Sequence, residues 1–337
     1  MQGPSWKVGI VGCGRIAGLL DHPDSQGPPQ THAQAFWRHP HFKMEAVVES
    51  AQDRLRRFKE TWQVPRGYVE LQSMLKEERL DVVSITSPNE FHFLQAMEIL
   101  QLPHPPRILW IEKPICLTEK ETLQLLELFQ GHPTRIIVNH TRRFDPAHQR
   151  LAEFLKAKPL GRLVRGRVTT YGGWINNGVH QVDTLRMLFG EEPQLISSTF
   201  SGPGRAQDAD LEVTLRVQAG VISIETFPEF YFKLFESDFR FEKGRVRLLE
   251  AGAQMAVEKV EVNGWGERVL KPVEGFPIEG LVDPLSRAVE AMDRCLQGED
   301  SFLKIGVDLE EACRTMKILW QAQEMAKEEA GLDLVRK

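Results

Sequence analysis

The sequence predicts an α/β fold in two parts: a doubly wound domain with parallel strands, then an α+β domain with a large open, mostly antiparallel sheet. Three observations predict it. Short β-branched runs alternate with helical patterns in the first part of the chain, a glycine-rich turn follows the first run, and beyond Gly161 strand-like runs follow one another with few helices between. A length of 337 residues, against roughly 100–200 per domain, agrees with two domains.

In order, strands are expected at Lys7 to Val11, Met44 to Glu49, Val82 to Thr86, Ile108 to Ile111 and Ile136 to Asn139. Helices fill the gaps, among them Asn89 to Leu100 and Thr118 to Gln130. The second opens on Thr118 with Glu121 three residues on, the spacing at which each side chain bonds the other's backbone N–H. The first domain is set at residues 1–142 and the second at 143–337. In the second, strands are expected at Leu163 to Tyr171, Leu211 to Gln218, Val221 to Phe227, Tyr231 to Phe235 and Arg245 to Glu250, with helices at Val179 to Phe189, Leu281 to Leu296 and Val307 to Glu328.

Composition excludes several function classes. A net charge of −5 with both signs interspersed supplies no basic face for nucleic acid. No run approaches the ~20 apolar residues that span a bilayer. Met1 to Ser5 leaves no room for a secretory leader, so a cytoplasmic location is expected. Cys13, Cys116, Cys295 and Cys313 lack paired spacing and read as free thiols. His39 and His41 lack a third ligand at any recognisable spacing, so no metal is expected. Phe230, Phe232, Phe235, Phe239 and Phe241 crowd the second sheet. They fill either its own core or a subunit interface, and the latter implies an oligomer.

Gly12-Cys13-Gly14-Arg15-Ile16-Ala17 follows the first strand. In that place glycines permit a tight turn and bring backbone N–H groups to a pyrophosphate, while Ala17 allows close packing, so the first domain reads as a Rossmann dinucleotide-binding domain. Glu49 ends the second strand, where a carboxylate accepts bonds from the adenosine ribose and repels a 2'-phosphate. NAD is therefore the expected cofactor, with NADP not excluded because Arg54 and Arg56 lie nearby. The polar, proline-rich stretch Asp21 to Gln30 lengthens the connection between the two motifs.

Three more signatures stand at or beyond strand ends, where open α/β sheets bind ligands: Ser87-Pro88-Asn89 with His92, Glu112-Lys113-Pro114, and Asn176-x-Gly178-x-His180-x-x-Asp183. With the glycine turn and Asn139-His140-Thr141-Arg142-Arg143-Phe144-Asp145-Pro146, the chain resembles the glucose-fructose oxidoreductase, inositol dehydrogenase and rhizopine catabolism (Gfo/Idh/MocA) family over nearly its whole length. The resemblance implies hydride transfer between NAD(P) and a sugar, inositol or nucleotide sugar, with substrate beside an open sheet that also mediates oligomers. It implies that Lys113 is the catalytic lysine, that its bond to Pro114 is cis, and that His180 handles the proton. Asn176 departs from the Asp that the family often carries.

The residue chemistry points the same way. Oxidising a secondary alcohol needs a base for the hydroxyl proton, a task suited to His180, and a fixed positive charge beside the developing alkoxide, which Lys113 supplies. Asn176, His180 and Asp183, four and three residues apart, share a face if they share one helix. Asn177 and Trp174 adjoin the substrate segment, Trp174 either stacking on a sugar face or walling the core. Arg143 is expected near the cofactor. Arg165 and Arg167 read as a solvated strand edge, the alternative being diphosphate recognition. The competing function is a non-catalytic dinucleotide-binding sensor or regulatory protein of the same fold.

Overall fold

The computed structural model describes residues 4–202, 208–276, 278–299 and 308–331; the start of the helix expected from Val307 lies outside them. Strands are β1 (Trp6–Val11), β2 (Phe42–Val48), β3 (Arg66–Tyr68), β4 (Val82–Ile85), β5 (Ile108–Ile111), β6 (Arg135–Val138), β7 (Leu163–Tyr171), β8 (Gln194–Phe200), β9 (Leu211–Val217), β10 (Gly220–Phe227), β11 (Glu236–Phe241), β12 (Gly244–Leu249), β13 (Gln254–Val262), β14 (Arg268–Pro272) and β15 (Ile278–Glu279). Helices are α1 (His32–Arg38), α2 (Gln52–Trp62), α3 (Leu71–Glu77), α4 (His92–Leu100), α5 (Glu119–Phe129), α6 (Thr141–Phe144), α7 (Pro146–Lys156), α8 (Val179–Phe189), α9 (Pro284–Leu296) and α10 (Leu309–Glu329).

The chain divides into two compact units, Met1–Phe144 with Asp283–Cys313, and Asp145–Val282 with Arg314–Lys337. The division differs from a single cut after residue 142, because α9 returns to the first unit and packs on α1 and α6. Asp293 anchors it: one carboxylate oxygen accepts the Trp6 indole N–H at 2.7 Å, and the other accepts the Gln297 amide at 2.7 Å and meets His41 Nδ1 at 2.8 Å. His39 and His41 thus have an acidic neighbour that their sequence spacing could not show. Its oxygens are already engaged in holding α9.

In the first unit six parallel strands run in the order β3-β2-β1-β4-β5-β6. Every residue of β4 and β5 is buried, as continuous apolar runs require when helices cover both faces. The order reverses between β1 and β4, which makes their carboxyl ends the switch point where such sheets leave a crevice. The helix α5 carries the reciprocal cap between Thr118 and Glu121.

In the second unit the order is β14-β13-β12-β11-β7-β10-β9-β8, with β15 beside β13; β7 and β10 are parallel and the other pairs antiparallel. Burial alternates residue by residue along β10 and β12, so one face is core, with Ile222, Ile224, Phe239 and Val246 fully buried. The ring of Phe189 on α8 meets Phe239 edge-on at 5.5 Å. The other face carries ion pairs, Arg167 with Glu225 and Arg245 with Asp238; β7 lies between β11 and β10, so Arg165 and Arg167 stand on a sheet face and not on a strand edge as expected. Tyr231 to Phe235 is not a strand: the strand begins at Glu236, and Phe230, Tyr231 and Phe232 are exposed in the preceding loop. The aromatic cluster therefore splits between core and loop.

Candidate functional site

The turn after β1 is built on conformations that side chains resist. Gly12 has φ +91°, and a Cβ there would stand 2.8 Å from both the backbone N and Cα of Ser87. The Thr86 hydroxyl donates to the carbonyls of Val11 and Gly12 at 3.1 and 3.0 Å, tying the turn to the end of β4. Gly14 is different, because a Cβ there would have only one neighbour, the Thr86 carbonyl oxygen at 3.9 Å. Its surroundings are open, the cradle that close approach of a pyrophosphate needs. The expected helix is a single π turn, Arg15–Leu19, with Arg15 exposed, Ile16 half-buried and Ala17 buried.

Sequence reasoning assigned the close packing to Ala17 and missed Gly18. A Cβ on Gly18 would lie 2.5 Å from Trp62 Nε1 and 2.6 Å from Phe58 Cε2. The available signal was a second small residue directly after Ala17.

Glu49 reaches back to the turn. One oxygen accepts the Cys13 N–H at 3.0 Å, the other accepts the Ala51 N–H at 3.0 Å, and Arg54 Nη1 stands 3.5 Å away. A buried carboxylate so held is fixed in place at the end of β2. Burial and the adjacent Glu49 charge push the Cys13 thiol far up, leaving it protonated and unreactive.

At the end of β4, Ser87 donates to Gln95 at 2.6 Å, while Pro88 precedes a short 3₁₀ turn, Asn89–Phe91, that leads into α4. His92 was expected beside the cofactor. It is fully buried, with Nδ1 2.8 Å from the Pro114 carbonyl and Nε2 2.9 Å from the Ser87 carbonyl, so the ring is set between two backbone carbonyls. His92 thereby links the segments that follow β4 and β5.

At the end of β5, the Lys113–Pro114 bond is cis and Lys113 is half-buried. Glu112, also expected on the cofactor, turns its Oε1 inward to His32 Nε2 at 2.9 Å and the Asn139 amide at 2.5 Å. Burial alone would raise its pKa, but the hydrogen bond and charge of His32, the Asn139 bond and the Lys113 charge together hold it below the usual carboxylate range. His32 is the second residue sequence reasoning missed. It opens α1, stacks on Trp110 at 3.6 Å and meets Ser84 Oγ at 2.7 Å through Nδ1. No local pattern linked it to a carboxylate 80 positions away. Arg143 lies on the short α6, half-buried.

In the second unit, Asn176 and His180 do not share one regular helix. Asn176 and Asn177 lie in a π turn, Trp174–Gly178, and His180 in the first turn of α8, so the four-residue spacing does not stack them as an α-helix would. The Asn176 and Ile175 N–H groups donate to the carboxylate of Asp208 at 2.9 and 2.6 Å, and the Asn177 amide donates to the Tyr171 carbonyl at 2.7 Å. His180 is half-buried with its ring 6.1 Å from that of Phe235, and Asp183, one turn on, is buried. Trp174 takes the core alternative and not the substrate-binding one: it is wholly buried and its indole N–H donates to the Leu319 carbonyl at 2.9 Å, which leaves no face for a sugar.

A parallel sheet with a glycine turn at its switch point and a buried carboxylate behind that turn has the form of a dinucleotide-binding domain. Residues 6–140 match the model of the Gfo/Idh/MocA oxidoreductase family, with its NAD-binding Rossmann fold. Uncharacterized oxidoreductase YrbE of Bacillus subtilis is 22% identical over 237 residues, which cover 64% of this chain and 65% of YrbE. The chain thus spans just under two thirds of that relative. Among solved structures, the WlbA dehydrogenase from Bordetella pertussis, in complex with NADH and UDP-GlcNAcA, aligns with a TM-score of 0.76 at 18% identity over 98% of this chain and 97% of its own. KijD10, a 3-ketoreductase from Actinomadura kijaniata in complex with TDP-benzene and NADP, aligns with a TM-score of 0.75 at 16% identity over 96% and 98%. Both likenesses establish the fold across both units. Among the described residues no helix is long and apolar enough to cross a membrane.

Proposed function

We propose that this chain transfers hydride between a nicotinamide dinucleotide, NAD in preference to NADP, and a secondary alcohol or ketone of a sugar, inositol or nucleotide sugar. The carrying observation is the position of Lys113: it leaves β5 at the carboxyl edge of the sheet, one strand beyond the switch point that bears the open turn at Gly14.

The dinucleotide, when bound, supplies the hydride acceptor or donor. The chain supplies the rest. The turn from Gly12 to Ala17 receives the pyrophosphate on its backbone N–H groups. Glu49 is placed to accept from the adenosine ribose hydroxyls, and its charge disfavours a 2'-phosphate. The Lys113 ammonium stabilises negative charge developing on the substrate oxygen, and His180 takes up or returns the hydroxyl proton. Asn176 and Asp183 orient His180 and substrate, and Asn177 closes the same turn. Assembly through the second sheet into a homodimer or homotetramer belongs to the same reading.

Lys113→Met tests it. With myo-inositol, common hexoses and UDP-N-acetylglucosamine presented together with NAD or NADH, turnover of any responsive substrate is expected to fall by about 10²–10³ while NADH still binds. Undiminished turnover removes Lys113 from the mechanism. Tight NADH binding with no absorbance change across the panel, in the wild type, transfers the chain to the sensor reading.

A further inference from the structure

Two histidines whose spacing in the sequence pointed to no ligand set meet two carboxylates of α9. His39 and His41 flank Pro40 in the turn from α1 to β2, and Glu290 and Asp293 stand three apart on α9, on one face. His41 Nδ1 lies 2.8 Å from Asp293 Oδ2, while His39 Nε2 lies 4.0 Å from the same oxygen and 3.2 Å from Glu290 Oε2. One ligand atom from each of His39, His41 and Asp293 falls within 4.8 Å of the others, and among the described residues no other three histidine, cysteine or acidic side chains converge so closely.

Holding α9 by hydrogen bonds needs only one imidazole at Asp293. Two imidazoles, with a second carboxylate one turn back on the helix, exceed that need. Four ligands on a tetrahedral ion at about 2.0–2.1 Å stand about 3.3 Å apart, and the separations here, from 2.8 to 4.0 Å, bracket that value. The cluster is also braced from outside. The Trp6 indole N–H donates to Asp293 Oδ1 and the Gln297 amide to Oδ2, both at 2.7 Å, and the Trp6 backbone N–H donates to the His41 carbonyl at 2.6 Å. Outer bonds of this kind orient ligands. They leave Asp293 able to coordinate, because an ionised carboxylate accepts at about four positions. Asp293 is buried, His39 and His41 are partly covered and Glu290 is exposed, so an ion can enter from solvent onto a shielded floor.

We propose that His39 Nε2, His41 Nδ1, Asp293 Oδ2 and Glu290 Oε2 bind one zinc ion, which clips α9 to the turn before β2. Two imidazoles with two carboxylates suit zinc and not magnesium or calcium, which take oxygen ligands. The ion takes the place of the N–H that His41 holds against Asp293. His39, bound through Nε2, carries its proton on Nδ1 and gives up the bond that Nδ1 accepts from the His41 N–H, which at 3.3 Å is the longest in the cluster. The clip joins positions 252 apart, and closing so long a loop restrains the unfolded chain strongly. It is independent of hydride transfer.

The test titrates the full-length chain, stripped with EDTA and dialysed, with zinc chloride against a chromophoric chelator. One equivalent should bind with a Kd of about 1 µM or tighter. At free zinc of about 100 times Kd, the melting temperature should rise by about 5 °C or more. The double variant His39→Gln with His41→Gln, its fold confirmed by a cooperative melt, should bind zinc at least about 100-fold more weakly and lose the rise. X-ray absorption at the zinc edge should show imidazole nitrogen and carboxylate oxygen neighbours without sulfur, which separates this site from binding at any of the four cysteines. If the double variant does not fold, the wild-type absorption spectrum decides. Absence of saturable binding overturns the proposal, as do unchanged affinity in the folded double variant, sulfur in the coordination shell, or bound zinc that leaves the melt unmoved.

Discussion

Replacing Gly12 and Gly14 one at a time should separate a glycine that the fold needs from one that the ligand needs. Gly12→Ala carries two costs. An alanine at φ +91° is strained by about 1–3 kcal/mol, and its methyl would stand 2.8 Å from backbone atoms of Ser87, which cannot rotate aside as a side chain would, adding about 1–3 kcal/mol. Together they amount to about 2–6 kcal/mol. At roughly 2–4 °C per kcal/mol for a unit of this size, the melting temperature without cofactor should fall by about 4–24 °C. Gly14→Ala has neither cost, because Gly14 has φ −79° and a Cβ there has no neighbour nearer than 3.9 Å. Its melting temperature should hold, or rise slightly as the unfolded chain loses freedom. The added methyl nevertheless projects into the cradle, so the Kd for NADH, read by fluorescence titration, should rise about tenfold or more, equivalent to ~1.4 kcal/mol. Wild-type NADH affinity in Gly14→Ala would refute the assignment of this turn to the pyrophosphate, and an unshifted melt in Gly12→Ala would refute the packing account.

Glu49→Gln keeps an acceptor for the Cys13 N–H while removing the charge, so the preference for NADH over NADPH should narrow by about tenfold in competitive titrations, ~1.4 kcal/mol of lost repulsion; an unchanged ratio would place the ribose elsewhere. Trp174→Phe should cost about 1–3 kcal/mol in urea unfolding, since the buried Leu319 carbonyl loses its donor, yet leave KM for substrate unaltered; a raised KM would restore the sugar-stacking role. Glu112, whose pKa is depressed in the fold, contributes stability that is fully present above the unfolded value near ~4.3 and is lost as pH falls through the lower folded value. Unfolding free energies of wild type and Glu112→Gln should therefore run parallel above about pH 5 and converge below about pH 4; parallel curves throughout would mean that Glu112 is not depressed.

What was legible in the sequence follows from how local each determinant is. The buried strands β4 and β5 announce themselves as uninterrupted apolar runs, and the cap of α5 is contained in four residues. The conformation of the glycine turn was legible because it is set by a few consecutive residues. The errors share the opposite property. Trp174 was left between a sugar face and the core because its hydrogen-bond partner, Leu319, is 145 residues away. The aromatic run around Tyr231 has strand propensity, but the ladder starts at Glu236, where the register with β7 and β12 buries Phe239. The π turn at Trp174–Gly178 is invisible to a count of residues per turn, so the spacing from Asn176 to His180 was read on the wrong helix.

His92 and His32 carry that point into the chemistry. Both are wholly buried histidines at strand ends, and each spends both nitrogens inside the protein, yet they act on different parts of the same lysine segment. His92 is set between two backbone carbonyls, Ser87 and Pro114, so it fixes where the chain around Lys113 runs. His32 bonds a carboxylate and a hydroxyl, so it fixes where charge lies. Loss of the first should displace the chain around Lys113, and loss of the second should leave the buried Glu112 carboxylate short of a donor. Only the second change can be undone by neutralising Glu112, and that asymmetry tells a geometric support from an electrostatic one.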